Sequence, residues 1–195
     1  RWCTVTGVQT CALPISPRCR VESQPIERDG RKGFRNVLHT PAGQLVEEGF
    51  YQPTYGAAAR TKHYVTEPDD YRVLLAYLRD TTVQPNAQAV AEVARGLGDD
   101  GLPHCAVART PFQRLWIEWV CIEDLCLHLA DCPELMEEVF AALADLQRRI
   151  FQAVCQAVRE QPIPYVDVPD NITAPVIGET YFRRHCVPAY NELAA

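Results

Sequence analysis

No apolar run in the 195-residue sequence approaches the roughly 18 to 20 residues that a membrane-spanning helix needs, so no segment is expected to cross a bilayer. Basic charge is also short. Nineteen Lys and Arg stand against 25 Asp and Glu, a net charge of −6, which argues against a surface that holds nucleic acid or an anionic membrane by counterion release. There is no Gly-rich phosphate loop, no Gly-x-Ser-x-Gly elbow and no His-Glu-x-x-His, so the reaction classes built on them lose their sequence support. Glycine is sparse at 10 residues and proline comparatively rich at 15; with long Ala and Leu stretches, this favours helices separated by Pro-marked loops over a sandwich of many small strands.

Cysteine, at nine residues, is the most deviant count that is present. No Cys-x-x-Cys pair exists, and Cys126-x-His128 falls on an expected helix, where residues two apart face different directions. The expectation is reduced thiols used as small buried hydrophobes, with no metal site. His63, His104, His128 and His185 have no Cys or carboxylate at ligand spacing and are read as structural.

Residues 1–16 show neither helical nor strand period, and lack the charged start and apolar middle of a signal peptide. Val5-Thr6-Gly7-Val8-Gln9-Thr10-Cys11-Ala12-Leu13-Pro14-Ile15 resembles the translation of a sequencing adapter. Residues 1–16 are therefore expected to be a disordered, non-native segment, and residues 17–195 a single domain incomplete at both ends.

Segments 36–39 and 45–50 flank the turn chemistry of Thr40-Pro41-Ala42-Gly43 and predict a hairpin. Glu67-Pro68-Asp69-Asp70 then opens a helix whose apolar stripe is Tyr71, Leu74, Leu75 and Leu78. A second helix is expected over 86–97, and further helical segments over 112–120, 123–129 and 133–160, with a last one from Tyr181. The stripe of the 133–160 segment runs through Leu135, Val139, Leu143, Leu146, Ile150, Val154 and Val158. Short apolar runs at 102–108 and 165–168 read as buried strands. Strands alternating with long helices predict an α/β fold with a parallel sheet and helical crossovers.

In such folds, ligands bind at the polar loops that leave the strands, where backbone N–H groups at helix starts are free. Two loops qualify. In the loop around Arg109-Thr110-Pro111, Arg109 can clamp a carboxylate ahead of the helix carrying Gln113 and Trp116; the plainer alternative is Thr110 as an N-cap with Arg109 in solvent. In Val168-Pro169-Asp170-Asn171-Ile172-Thr173-Ala174-Pro175, Asp170 and Asn171 are two adjacent polar side chains at an apolar strand exit, either a site or an Asx turn.

Thr40-Pro41-Ala42-Gly43, Lys62-His63-Tyr64-Val65 with Glu67-Pro68-Asp69-Asp70-Tyr71, and Asp170-Asn171-Ile172-Thr173-Ala174-Pro175 ahead of Tyr181-Phe182 and Pro188-Ala189-Tyr190 resemble the uroporphyrinogen decarboxylase superfamily from about Phe34 onward. That resemblance implies part of a (β/α)8 barrel and a cytoplasmic enzyme that removes carboxylates from a tetrapyrrole. An alternative is a corrinoid-dependent methyltransferase, and a non-catalytic one is a helical binding module, which requires 102–108 and 165–168 to be helical. Carried over by position, Trp116 stands where the decarboxylases have Tyr, and Asp170-Asn171 where they have Asp-Ser; together with Arg109 and Gln113 from the first loop, this makes Asp170 the catalytic candidate and Arg109, Gln113, Trp116 and Asn171 the substrate-binding ones. For decarboxylation, Arg109 would meet the acidic side chains and Asp170 the protonated pyrrole. The resemblance implies a small-molecule partner, a tetrapyrrole or a methyl carrier, and a homodimer. No cofactor is expected within this stretch, with zinc and a corrinoid only for a methyltransferase. The family's first-strand arginines and essential Asp would lie upstream, and the methyltransferases' zinc ligands downstream, so this stretch alone is expected to be inactive.

Overall fold

A computed structural model describes residues 11–54, 56–98, 101, 103–162, 165–172 and 174–194. Leu102, Thr173 and residues 1–10, on which some sequence readings fall, lie outside the described residues. In chain order, the elements are β1 (Ala12–Ile15), β2 (Arg20–Arg28), β3 (Arg31–Thr40), β4 (Gly43–Gln52), β5 (Ala57–Lys62), α1 (Tyr71–Asp80), β6 (Thr82–Pro85), α2 (Ala87–Leu97), β7 (His104–Ala106), α3 (Pro111–Arg114), α4 (Ile122–Asp131), α5 (Pro133–Glu160), β8 (Tyr165–Asp167), α6 (Ala174–Tyr181) and α7 (Val187–Ala194). A 3-10 turn at Pro68–Asp70 precedes α1, and π-type turns at Leu115–Trp119 and Phe182–Cys186 follow α3 and α6. Among the described residues, no helix is long and apolar enough to cross a membrane.

The structure corrects the expected fold class. The main sheet has the order β2-β3-β4-β5 with every pair antiparallel; β1 and β6 form a separate antiparallel pair, and only β7 and β8 run parallel. Neither the strand and helix alternation of a (β/α)8 barrel nor a closed barrel is found among the described residues. The reason lies in the connections. Asp29 and Gly30 alone join β2 to β3, both at positive φ (53° and 72°), and Pro41-Ala42 alone joins β3 to β4. Two-residue links close antiparallel hairpins, whereas a parallel pair needs a crossover of a dozen residues or more.

The described residues divide into two compact units, one formed by residues 16–81 and 114–143, the other by residues 11–15, 82–113 and 144–194. In the first, α1 lies against β3 and β4, with Leu38, Leu45 and Phe50 from the sheet and Tyr71, Val73, Leu74, Leu75 and Leu78 from the helix all buried. This matches the predicted stripe of α1. Asp70 supports the entry to the helix by accepting the backbone N–H groups of Thr66 (2.9 Å) and Glu67 (3.2 Å). Within the sheet, buried Glu47 accepts from Asn36 Nδ2 and Arg60 Nε, both at 2.8 Å, so its charge is paired and hydrogen-bonded rather than stranded. Gly33 and Gly49 sit where strands approach closely: a Cβ on Gly33 would fall 2.3 Å from Gly49 O. Tyr71, fully buried, meets His128 of α4 with its hydroxyl 3.0 Å from Nδ1.

In the second unit, the parallel pair β7 and β8 runs in the register His104↔Tyr165, Cys105↔Val166, Ala106↔Asp167. Both segments are strands, so the condition for an all-helical module is not met. Cys105 is disulfide-bonded to Cys11, an exception to the reduced thiols expected. β1, within the adapter-like stretch expected to be disordered, pairs with β6 through Ala12↔Pro85 to Ile15↔Thr82. α5 contributes to both units: Val139 and Leu143 of the predicted stripe, with Met136 and Phe140, are buried in the first, and Leu146, Ile150 and Val154, with Gln147, Phe151 and Ala157, in the second.

Candidate functional site

β7 ends at Ala106 and β8 at Asp167, and because the two strands are parallel their carboxyl ends emerge side by side. Val107 N–H, donating to Asp167 O at 2.9 Å, continues the ladder one step beyond the named strands. Past that point, the loops are stitched together by side chains. Arg109 Nη1 donates to the Pro169 carbonyl, Thr110 N–H donates to Asp170 Oδ1 at 3.0 Å, and Asn171 N–H donates to Gln113 Oε1 at 2.8 Å. Tyr190 on α7 donates its hydroxyl to Asp170 Oδ2 at 2.7 Å. Four of the five sequence-predicted residues, Arg109, Gln113, Asp170 and Asn171, thus meet in one cluster.

Trp116, the fifth, belongs to the other compact unit, where it is half-buried on the π-type turn Leu115–Trp119. For Arg109, the plainer alternative for the first loop does not describe what is found. Arg109 is half-buried rather than free in solvent, and the buried Thr110 hydroxyl faces Cys186 Sγ at 3.7 Å. The second loop does turn sharply, with Asp170 N–H donating to Val168 O at 2.7 Å, but the Asp170 side chain serves the neighbouring loop. Asn171 is engaged through its backbone, and its side chain is exposed.

Sequence reasoning missed three contributors. Gln147, buried in mid α5, donates Nε2 to Arg109 O at 3.1 Å and to Ala108 O at 3.5 Å. Its signal was a polar residue directly beside the apolar stripe, next to Leu146. Tyr190 and Cys186 sit on the last helical stretch, which carries no local mark of their partners, Asp170 at 20 residues' distance and Thr110 at 76. Burial, together with the adjoining Asp170 carboxylate, raises the Tyr190 phenol above its ordinary pKa. Burial likewise pushes the Cys186 thiol up to about 11, against the opposing hydrogen bond from Thr110.

Immediately after Asn171 the chain lines a cavity of about 310 Å³, walled by Ile172, Ile177, Gly178, Glu179 and Phe182. α6 kinks at Gly178, whose φ of 67° is open to glycine and costly for other residues, and the kink shapes this wall. Rings cluster nearby in the same unit: Phe112, Tyr181 and His185 have centroids 5.8 Å apart pairwise. The arrangement offers a cation at Arg109, a fixed carboxylate at Asp170 and an apolar hollow, the ingredients for holding an acidic molecule with an apolar body. Among the described residues, no group of three or more His, Cys, Asp or Glu is placed to hold a metal ion. No protein-family model, curated protein or solved structure matches the chain.

Proposed function

We propose that the joined exits of β7 and β8 form one wall of the substrate site of an enzyme similar to uroporphyrinogen decarboxylase, with a carboxylate-bearing tetrapyrrole as ligand. The observation that carries this reading is the convergence of Arg109 and Asp170 in one hydrogen-bonded cluster beside an apolar cavity. Arg109 has five N–H donors and, among the described residues, only Nη1 is engaged, with Pro169 O, so the guanidinium keeps donors for a ligand carboxylate. Asp170 is held by a backbone N–H and a phenol, and each of its oxygens retains a second lone pair. In decarboxylation, a protonated pyrrole takes up the electron pair released as CO2 leaves, and a fixed carboxylate lowers the cost of that cation. Asp170 has this role here, and Asn171, with its side chain exposed, completes the polar wall.

Titration of the chain with uroporphyrin, read by porphyrin fluorescence, tests the reading. Saturable binding is expected, weakened at least tenfold by Arg109→Ala, with octaethylporphyrin, which has no carboxylates, failing to compete. Absence of saturable binding, or equal affinity in Arg109→Ala, would overturn it.

A further inference from the structure

Where the chain enters β2, in the unit formed by residues 16–81 and 114–143, Arg18 and Arg20 line one cavity of about 360 Å³. The strand period puts Arg20 and Glu22 on the same face of the sheet, and the register sets His39 of β3, also on the cavity wall, directly opposite Arg20. Glu22 is shared between them, with Oε1 3.0 Å from Arg20 Nη2 and Oε2 3.3 Å from His39 Nε2. Arg18 is held through its other end: the backbone N–H and Nε donate to the buried Asp80 carboxylate at the end of α1, at 2.8 and 2.7 Å. Such a clamp fixes the plane of the guanidinium while leaving its terminal nitrogens unspent. Both arginine side chains are 70% exposed, and among the described residues no hydrogen bond engages Nη1 or Nη2 of Arg18 or Nη1 of Arg20.

The carboxylates that orient these arginines stay off the cavity wall. Among the described residues, no acidic side chain lines it. Cys19, between the two arginines, adds no negative charge, because burial and the Asp80 carboxylate push its thiol up to about 11. Two like charges facing one cavity repel each other, and an anion between them relieves the repulsion.

We propose that this cavity binds a small phosphate monoester, with the phosphate held by the free terminal nitrogens of Arg18 and Arg20. A phosphate monoester carries nearly two charges and three terminal acceptor oxygens, enough to occupy two guanidinium forks, whereas one fork already fills a carboxylate. The volume falls within the range of small-molecule sites, about 300–1,000 Å³, which leaves room for more than a bare ion. Pro17 and Pro41 supply apolar wall for the organic part.

The test is calorimetric titration of the full chain with phenyl phosphate at pH 7.5, against inorganic phosphate and benzoate. Saturable binding of phenyl phosphate is expected, tighter than that of either comparison anion. It should weaken at least tenfold in Arg18→Gln and in Arg20→Gln, and stay within about twofold in Arg72→Gln, which removes the same charge from an exposed position on α1. Arg18→Gln strips a buried carboxylate of its partner; Arg20 pairs with a half-exposed one, so Arg20→Gln decides the matter should the first variant not fold. No saturable binding, full affinity in Arg20→Gln, or an equal loss in Arg72→Gln would overturn the proposal. Benzoate or inorganic phosphate binding as tightly as phenyl phosphate would overturn it too, the first by removing the selection for phosphate and the second by removing the organic part.

Discussion

Tyr190 and Asp170, 20 residues apart, are joined by a 2.7 Å hydrogen bond from the phenol to Oδ2, and Asp170 Oδ1 in turn receives Thr110 N–H. One carboxylate therefore ties α7 and the exits of two strands to a single point.

Replacing Tyr190 by Phe removes a charge-assisted bond and should destabilise the chain by about 1–2 kcal/mol in urea unfolding. The raised phenol pKa adds a pH signature. A group that is harder to ionise when folded keeps its full stabilisation below its unfolded value and loses it as pH climbs toward the folded one. Stability should thus fall as pH rises above about 10, and that part of the alkaline loss belonging to Tyr190 should be absent in Tyr190→Phe. An unchanged alkaline limb in the variant would contradict this account.

Tyr71→Phe probes the core of the other unit. Its hydroxyl is the hydrogen-bond partner of His128 Nδ1, and both residues are buried, so the variant leaves an imidazole nitrogen without its partner. A loss of about 1–3 kcal/mol is expected from chemical denaturation, well above that of Tyr51→Phe on the exposed sheet surface.

At acid pH, the pair to watch is Arg18 and Asp80. Asp80 accepts from Arg18 N–H at 2.8 Å and from Arg18 Nε at 2.7 Å, and these bonds hold its carboxyl below the usual range. For a depressed carboxyl, the stabilisation is present above the unfolded pKa and is lost as pH falls through the folded one. Melting temperature measured from pH 7 downward should decline below about pH 4, and more shallowly in Asp80→Asn than in the wild type.

Cysteine reactivity separates the buried thiol from the exposed ones. Cys186 is fully buried with its pKa pushed up to about 11, whereas Cys126 and Cys155 are exposed. Iodoacetamide at pH 7.5 should label Cys126 and Cys155 in the native chain and reach Cys186 only on unfolding, as mass spectrometry of the peptides would show. Prompt native labelling of Cys186 would contradict the placement of the last helical stretch over the Thr110 loop.

α1, α2, α4 and α5 could be read directly from residue order, with the buried faces of α1 and α5, whereas α6 begins at Ala174 in a stretch that reads as a loop. The stripes of α1 and α5 repeat at three and four, and only one side of a helix with that spacing can enter a core. The hairpin around Pro41-Ala42 was equally legible, as were β7 and β8. β2 and β5 were not: Arg20–Arg28 is exposed along most of its length and Ala57–Lys62 along all of it, so neither carries the alternation that announces a half-buried strand. Their direction of pairing followed from the turns, and Asp29-Gly30 held that information in two residues.

At the candidate site, composition and loop chemistry were enough to single out Arg109, Gln113, Asp170 and Asn171. That Asp170 would hold Thr110 and Tyr190, that Gln147 would reach back from α5, and that Trp116 would fall in the other unit were decided by tertiary structure alone. A side chain's residue type limits which bonds it can make. Which partner it finds depends on how segments distant in sequence are brought together, and no local pattern encodes that approach.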